Sequence, residues 1–203
     1  APELNKLAYF KVGAAHIAEK HVRAARMSYV GEPGWEITMK AENAATIYMA
    51  LVNAGARPAG LYAQTSMRIE KGFCAMGHEL DSDVSPVDTG LDFVTRKEGG
   101  FIGAEALAER RKIKGSSSLI SLKFHDEEAV PLGHEPIYYD GDIIGQTSSC
   151  AFGYRIGKPV ALGKIHNRKP SGTAVKVDIA RQLFDATLFT CQLFDAKAHR
   201  MKS

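Results

Sequence analysis

The sequence is poor in cysteine and nearly balanced in charge. Its three cysteines, Cys74, Cys150 and Cys191, are odd in number and widely spaced, so they predict neither a disulfide framework nor a Cys-x-x-Cys metal site. We therefore expect a reducing compartment. The net charge of +3, with no run of lysine and arginine interleaved with aromatic residues, gives no reason to expect nucleic acid as a partner.

Long apolar runs and nucleotide-binding motifs are missing as well. No run approaches the roughly 20 apolar residues of a membrane span, and no signal-peptide pattern is found, so no membrane association is expected. No Gly-x-Gly-x-x-Gly follows a first strand, and neither a phosphate-binding loop nor a nucleophile elbow appears. The polar stretch at 77–91 fails the calcium-loop pattern, because the central glycine and the final bidentate glutamate are missing, so no metal site is predicted.

The rest of the sequence has the pattern of a mixed α+β protein. The 203 residues, 45% of them apolar, are enough for one large domain or two small ones. In the first half the patterns predict strands at 9–12 and 22–30, and helices at 42–54 and 60–72 that end at Gly55 and Gly72. Beyond residue 118, an Asp-Gly hairpin at 137–145 and four short strands predict a small β-barrel or sandwich. These strands are placed at 119–124, 160–165, 174–179 and 184–191.

A predicted hairpin at 27–37 is the most distinctive stretch of the first half. Gly31 and Gly34 allow the chain to reverse, and the resulting register places Tyr29 directly opposite Glu36. Opposed residues share one sheet face with Cβ atoms roughly 5 Å apart, so a phenol and a carboxylate would stand side by side. From the pattern alone, a surface hairpin with a solvated polar face is the more ordinary interpretation.

The predicted helix at 60–72 carries several charges near its end. Arg68 and Lys71 could pair with Glu70 or with the following loop. The pattern alone predicts a solvated helix with surface ion pairs, which contribute little to stability. The polar stretch at 77–91 is then expected to be a loop that leads into a strand.

Several segments resemble the family of the glycine-cleavage T protein, an aminomethyltransferase. They are Ser-Tyr-x-Gly-Glu-x-Gly-x-Glu at 28–36, the long segment from Gly-Leu-x-Ala to Arg-x-Glu-Lys-Gly at 60–72, and Phe-Ile-Gly-x-Glu-Ala-Leu at 101–107. The stretch at 130–137 and the tail at 193–201 look like the branch of the sarcosine and dimethylglycine dehydrogenases. The resemblance covers essentially all of the chain but matches only the C-terminal part of the family.

This resemblance implies a fold and a domain organisation. The fold would be a truncated folate-binding aminomethyltransferase domain, an antiparallel sheet with helices, followed by a small C-terminal β-barrel. The first domain is expected at 1–112 and the barrel at 113–203, with the boundary in the Lys-Ile-Lys-Gly-Ser-Ser-Ser stretch at 112–118. The residues of the loop at 77–91 would be structural.

The resemblance also implies a folate site. By motif match Tyr29 would contact the pterin, and Glu36 would accept its N–H groups, because a carboxylate can bind adjacent donors in a paired, charge-assisted way. Gln64 stands where glycine-cleavage T proteins carry an arginine that contacts folate, and Arg200 would bind the glutamate tail. No catalytic residue is predicted here, since the aspartate expected for that role would lie upstream of Ala1.

The implied function is that of the tetrahydrofolate-binding, one-carbon-transferring part of an N-methyl amine oxidoreductase. An FAD domain upstream would oxidise sarcosine or dimethylglycine, and the carbon would be captured as 5,10-methylenetetrahydrofolate. The partners would be folate and a methylated amine, and the fragment by itself is expected to be inactive. We expect a cytoplasmic protein, or one of the mitochondrial matrix in a eukaryote. Unpaired strand edges predict a homo-oligomer.

Two alternatives stay open. One is a stand-alone aminomethyltransferase or a demethylase of the same fold. The other is a non-catalytic regulatory or scaffold protein that kept the fold, which Gln64 and the missing aspartate would fit.

Overall fold

The computed structural model describes residues 2–113 and 117–202. These form two compact units. The first contains the described parts of Ala1–Gln64 and Lys197–Ser203, and the second contains the described parts of Thr65–Ala196.

The first unit is built on a three-stranded antiparallel sheet. Its strands follow chain order and are β1 (Val12–Ile17), β2 (Lys20–Ala25) and β3 (Glu36–Thr38). One sheet face is exposed, whereas the other packs with helix α1 (Ala44–Asn53) into a small core. The buried residues of that core are Leu4, Ala15, Val22, Ala24 and Ile47. The first unit also contains the 3-10 helices Pro2–Lys6 and Ala41–Asn43 and the short helix His199–Lys202.

The strand bounds predicted for this unit are wrong. The true β1–β2 hairpin turns at Ala18 and Glu19, whose φ angles are 49° and 62°. Positive φ at both central residues is the type I′ geometry that matches the twist of a hairpin. The sequence lacks the Asn-Gly or Asp-Gly pair that usually marks such a turn, so the prediction placed the first strand too early.

The tight hairpin predicted at 27–37 does not form. Strand β3 pairs with β2 so that Glu36 lies opposite Ala25, not opposite Tyr29, and residues 26–35 form an open loop. The Ser28 hydroxyl accepts the Val30 N–H at 3.3 Å, which gives the backbone a local alternative to the ladder. Pro33 has no N–H to donate to a partner strand.

Both predicted C-cap glycines are confirmed. Gly55 has φ +99°, its N–H donates to Val52, and the next residue donates to the carbonyl of Leu51 at 3.0 Å. Gly72 repeats this pattern with φ +69° at the end of α2 (Leu61–Glu70). These are Schellman motifs, in which a left-handed residue without a Cβ atom lets the chain turn back over its last carbonyls.

The second unit contains the predicted β-barrel, which is closed and has six strands in the order β4-β7-β6-β5-β8-β9. The Asp-Gly hairpin is confirmed, since Asp140 and Gly141 have φ angles of 51° and 88°. Every strand pairs antiparallel with its neighbours. The strands are β4 (Ser118–Phe124), β5 (Pro136–Tyr139), β6 (Asp142–Gly153), β7 (Lys158–Ile165), β8 (Thr173–Ile179) and β9 (Gln182–Phe189).

Two glycines allow β6 and β7 to approach closely in the barrel wall. A Cβ atom at Gly145 would overlap the carbonyl oxygen of Lys164, and one at Gly163 would lie 2.7 Å from the carbonyl oxygen of Gln146. Neither backbone can move aside, because both belong to the strand ladder. The barrel interior is filled by apolar side chains that are fully buried, among them Leu122, Phe124, Ile137, Ile165 and Leu188.

The segment between α2 and the barrel is mostly turns. The strand expected after 77–91 is absent from the described residues, since Ser85 and Pro86 begin a series of turns that ends in the 3-10 turn Asp92–Val94. Helix α3 (Ala104–Lys112) follows, and residues 114–116 of the predicted boundary lie outside the described residues. The domain division at 112/113 stays a prediction. None of the described helices is long and apolar enough to cross a membrane.

Candidate functional site

The loop 26–35 presents aromatic side chains to solvent. Tyr29 is 37% exposed and Trp35 is 38% exposed, so part of each ring is accessible. The guanidinium carbon of Arg26 lies 6.0 Å from the centre of the Trp35 ring, within cation–π range. The loop therefore offers ring faces on which a planar ligand could stack.

Glu36 is the first residue after this loop, and it points to the exposed face of the sheet. Its direct neighbour across β2 is Ala25, a small residue that leaves the carboxylate accessible. Arg23, opposite Thr38, is the next residue of β2 on the same face. Diagonal neighbours of this kind lie roughly 7–8 Å apart, so a cation stands near Glu36 without covering it.

Arg200 is held against the same loop. It belongs to the short C-terminal helix α4 (His199–Lys202), and its Nε donates to Glu32 Oε2 at 2.7 Å. The Arg200 side chain is 62% exposed and that of Glu32 is 28% exposed, so the pair is open to solvent. An exposed pair is weak and can exchange partners readily.

The structure thus brings three of the four predicted site residues to one region of the first unit. Tyr29 lies in the loop, Glu36 directly follows it, and Arg200 is tied to it through Glu32. Gln64 is half-buried in the first turn of α2, where its N–H donates to Gly60 at 3.2 Å. Within the described residues no hydrogen bond joins its side chain to the loop.

Sequence reasoning missed a set of buried charges at the end of α2. Arg68 and Glu79 form an ion pair at 3.0 Å, with side chains only 4% and 0% exposed. Arg68 also donates to the Ser149 hydroxyl at 2.7 Å and to the carbonyl of Phe73 at 3.2 Å. The prediction of a solvated helix with surface pairs is therefore wrong, because these charges pack against strand β6.

Glu79 is a fully satisfied carboxylate. Its Oε1 accepts the Ser148 hydroxyl at 2.6 Å, and its Oε2 accepts the Ala75 N–H at 3.0 Å as well as Arg68. Burial by itself would raise the pKa of Glu79, but the bonds from Ser148, Ser149 and Ala75 and the Arg68 charge together hold that pKa below its ordinary value. The group is therefore ionised at neutral pH.

Two further ion pairs fix the end of α2. Glu70 accepts the backbone N–H of Arg155 at 2.7 Å and its Nε at 2.5 Å, while the Arg155 guanidinium lies 3.8 Å from the centre of the Phe194 ring. Lys71, 2% exposed, donates to the carbonyl of Asp195 at 2.5 Å and contacts its carboxylate at 3.3 Å. All three charges of the Arg-x-Glu-Lys segment are therefore structural. The length of the family motif at 60–72 was the one signal that could have indicated this.

The buried thiols are poor candidates for chemistry. Burial, followed by the nearby charge of Glu135, raises the pKa of Cys150 to about 12, and burial raises the pKa of Cys74 to about 11. Both are protonated at neutral pH and are therefore weak nucleophiles. Among the described residues, no group of three or more His, Cys, Asp or Glu side chains is arranged to hold a metal ion.

The surface clefts in the described part of the second unit include the following two. One, of about 970 Å³, lies between the loop at 96–103 and α3, and the other, of about 690 Å³, is lined by Cys74, Asp88 and Cys191 among others. None of the four predicted site residues lines either cleft. The loop 26–35 and its neighbours are the candidate site because three of the four predicted residues lie there.

Comparison with known proteins gives matches along nearly the whole chain. The model of the GCVT N-terminal domain matches residues 2–99, and that of the glycine cleavage T-protein C-terminal barrel domain matches residues 118–195. Mitochondrial dimethylglycine dehydrogenase of Mus musculus is 30% identical over 187 residues, which cover 89% of this chain and 22% of that protein. Mitochondrial sarcosine dehydrogenase of Mus musculus is 37% identical over 167 residues, which cover 79% of this chain and 18% of that protein.

A solved structure shares the fold. The glycine cleavage system aminomethyltransferase T from Bartonella henselae aligns with a TM-score of 0.85 at 24% identity, over 95% of this chain and 54% of that one. The chain thus spans about a fifth of the two dehydrogenases and about half of the aminomethyltransferase. The barrel match coincides with the closed six-stranded barrel, and the other match covers the first unit up to Gln64 and all of α2. Arg200 lies outside both matches. With these two domains in this order, the chain belongs to the glycine cleavage T-protein family of aminomethyltransferases.

Proposed function

We propose that this chain is the tetrahydrofolate-binding, one-carbon-transferring part of an N-methyl amine oxidoreductase of the sarcosine or dimethylglycine type. The observation that carries the proposal is the grouping of Tyr29, Glu36 and Arg200 around loop 26–35. Membership of the family supports the folate, and the two dehydrogenase relatives support the amine.

The side chains around the loop suit the chemistry of a folate. The half-exposed ring of Tyr29 offers a stacking face for the pterin, and the accessible carboxylate of Glu36 accepts its N–H groups. Arg200 exchanges its exposed contact with Glu32 for a carboxylate of the glutamate tail. Gln64 contributes an uncharged amide where an arginine is usual in the family. Bound tetrahydrofolate supplies the nitrogens that take up the carbon as 5,10-methylenetetrahydrofolate.

Other parts of the reaction are assigned to the rest of the protein. FAD would occupy an upstream domain that oxidises the N-methyl group, and the catalytic aspartate would also come from upstream. Both dehydrogenase relatives are mitochondrial, so we place a eukaryotic form of this protein in the mitochondrial matrix and a bacterial one in the cytoplasm. The fragment alone would bind folate without catalysing the reaction.

The test is a titration with tetrahydrofolate followed by fluorescence. Trp35 is the single tryptophan, so quenching reports on the loop directly. A hydrogen bond to a charged group is worth about 1.5–3 kcal/mol, so Glu36→Gln should weaken binding about 10- to 100-fold. Glu42→Gln, which changes another exposed carboxylate of the same unit, should leave affinity unchanged. Equal affinity of the Glu36→Gln variant and the unchanged protein would refute the proposed site.

A stand-alone aminomethyltransferase is the second candidate. It is supported by the two matching family models, which are those of the glycine cleavage T protein itself. The absorption spectrum of the full-length protein separates the two. A bound flavin supports the oxidoreductase, whereas a folate-binding protein of transferase length without flavin supports the transferase.

A further inference from the structure

The tip of the β1–β2 hairpin carries two histidines that the folate proposal does not use. His16 and His21 are directly opposite each other, both are exposed, and their ring centres are 5.6 Å apart at an interplanar angle of 78°. We propose that this pair binds a divalent transition metal that favours imidazole, namely Cu²⁺, Ni²⁺ or Zn²⁺.

The hairpin register brings the two rings close. Ile17 and Lys20 flank the two-residue turn and therefore form its hydrogen-bonded pair, so His16 and His21 are the next, non-hydrogen-bonded pair. The N–H of His16 indeed points away from β2 and donates to Glu3 Oε1 at 3.2 Å. In such pairs the Cα atoms are only about 4.5 Å apart and the side chains are at their closest.

The spacing of the rings fits a shared metal ion. At the 90° angle of a square-planar Cu²⁺ ion, two imidazoles would have ring centres roughly 4.5 Å apart. At the tetrahedral angle of Zn²⁺, with metal–nitrogen distances of about 2.0–2.1 Å, the ring centres would be roughly 5.2 Å apart. The observed separation of 5.6 Å is within a small side-chain rotation of that value. The type I′ turn at Ala18 and Glu19 holds the two strands in register before the metal binds. The conformational entropy lost on binding is therefore small.

In the proposed site, the protein fills only some of the metal's coordination positions. The two imidazoles are the protein ligands, because the described residues contain no third His, Cys, Asp or Glu in position, and water completes the coordination. Arg23, the next residue of β2 on this face, is a cation and lowers the affinity of the site for a metal ion. The order of affinities should be Cu²⁺ above Ni²⁺ and Zn²⁺, as for other nitrogen sites.

The experiment is a Cu²⁺ titration of the whole chain at neutral pH. A Cys191→Ser background removes the exposed thiol, which could bind copper by itself. We expect one Cu²⁺ per chain and electron paramagnetic resonance couplings from two nitrogens. His16→Asn and His21→Asn should each weaken binding at least about 10-fold, since loss even of an outer-shell partner costs that much.

His166→Asn, which removes another exposed histidine, is the matched control and should bind Cu²⁺ like the background protein. The double variant His16→Thr with His21→Thr guards against misfolding, because threonine is a good strand former. Circular dichroism should show it folded, and it should lose the rise in melting temperature that Zn²⁺ gives the background protein. Unchanged copper affinity in either asparagine variant, or a one-nitrogen signal in the background protein, would overturn the site.

Discussion

The buried ion pair of the second unit makes a sharp prediction about stability. Replacing Glu79 by glutamine keeps the shape of the side chain but removes its charge, so Arg68 stays buried at 4% exposure without a counter-ion. Breaking a buried pair in this way costs about 3–5 kcal/mol, because the remaining charge has lost its solvation and its partner. For a chain of this size we expect the melting temperature to fall by about 6–20 °C.

The geometry explains why glutamine cannot substitute. The two carboxylate oxygens accept bonds from Arg68, from the Ala75 N–H and from the Ser148 hydroxyl. A glutamine has one acceptor oxygen, and its NH₂ group would face at least one of these donors. The variant therefore loses a charge and also gains a donor–donor conflict inside the unit.

The assay is guanidinium unfolding followed by circular dichroism, with the slope m checked for constancy. Trp35 lies in the first unit, so the substitution should lower the unfolding midpoint measured by tryptophan fluorescence less than the midpoint measured by circular dichroism. The control is Asp185→Asn, which breaks the exposed pair with Lys176 and should leave the free energy of unfolding nearly unchanged. A loss for Glu79→Gln no larger than that of the control would refute the assignment of a structural charge.

The loss of stability in acid gives a second measure of the contribution of Glu79. The folded pKa of Glu79 lies below the ordinary value of 4.5, so its contribution to stability is complete above that value. As the pH falls below 4.5 towards the folded pKa, the unfolded chain binds the proton first and this contribution is lost. The Glu79→Gln variant should therefore lose less stability between neutral pH and acid than the unchanged protein does.

Three further predictions concern other parts of the molecule. Gly145→Ala should destabilise the barrel by about 3 kcal/mol in chemical unfolding, because its Cβ meets backbone, whereas Gly60→Ala, with open space around it, should stabilise by about 0.4–1 kcal/mol. With Ellman's reagent at neutral pH, exposed Cys191 should react first and Cys150, whose pKa burial raises to about 12, should react only on unfolding. Light scattering should give a dimer or larger species, as proposed from the open edges of the three-stranded sheet, and a monomer would contradict it.

Local stereochemistry made part of the fold predictable from sequence. Gly55, Gly72 and the Asp140-Gly141 turn were placed correctly, because positive φ angles restrict the residue type at these positions regardless of distant contacts. Alternating short strands with turn signals likewise indicated the barrel. The hairpin turn at Ala18 and Glu19 was not predicted, because neither residue type favours the positive φ angle that it has in this turn.

The candidate site was predictable only as a set of residues. The family motif named Tyr29, Glu36 and Arg200, and their roles stay predictions. That Arg200 reaches Glu32, a residue 168 positions away along the chain, depends on tertiary folding. The predicted hairpin register, by contrast, was wrong. The local hydrogen bond of Ser28 and the missing N–H of Pro33 disfavour a tight hairpin, so Glu36 pairs with Ala25 and not with Tyr29.

The sequence by itself determined two helix ends, the Asp140-Gly141 turn, the barrel class and the family, because each depends on neighbouring residues or on a contiguous motif. Only the tertiary structure decided which charges are buried. Arg68, Glu70 and Lys71 look like surface residues on their own helix, and their partners lie 11, 85 and 124 positions away. A charged side chain is stable in the interior only when such a distant partner meets it, and no local pattern encodes that meeting.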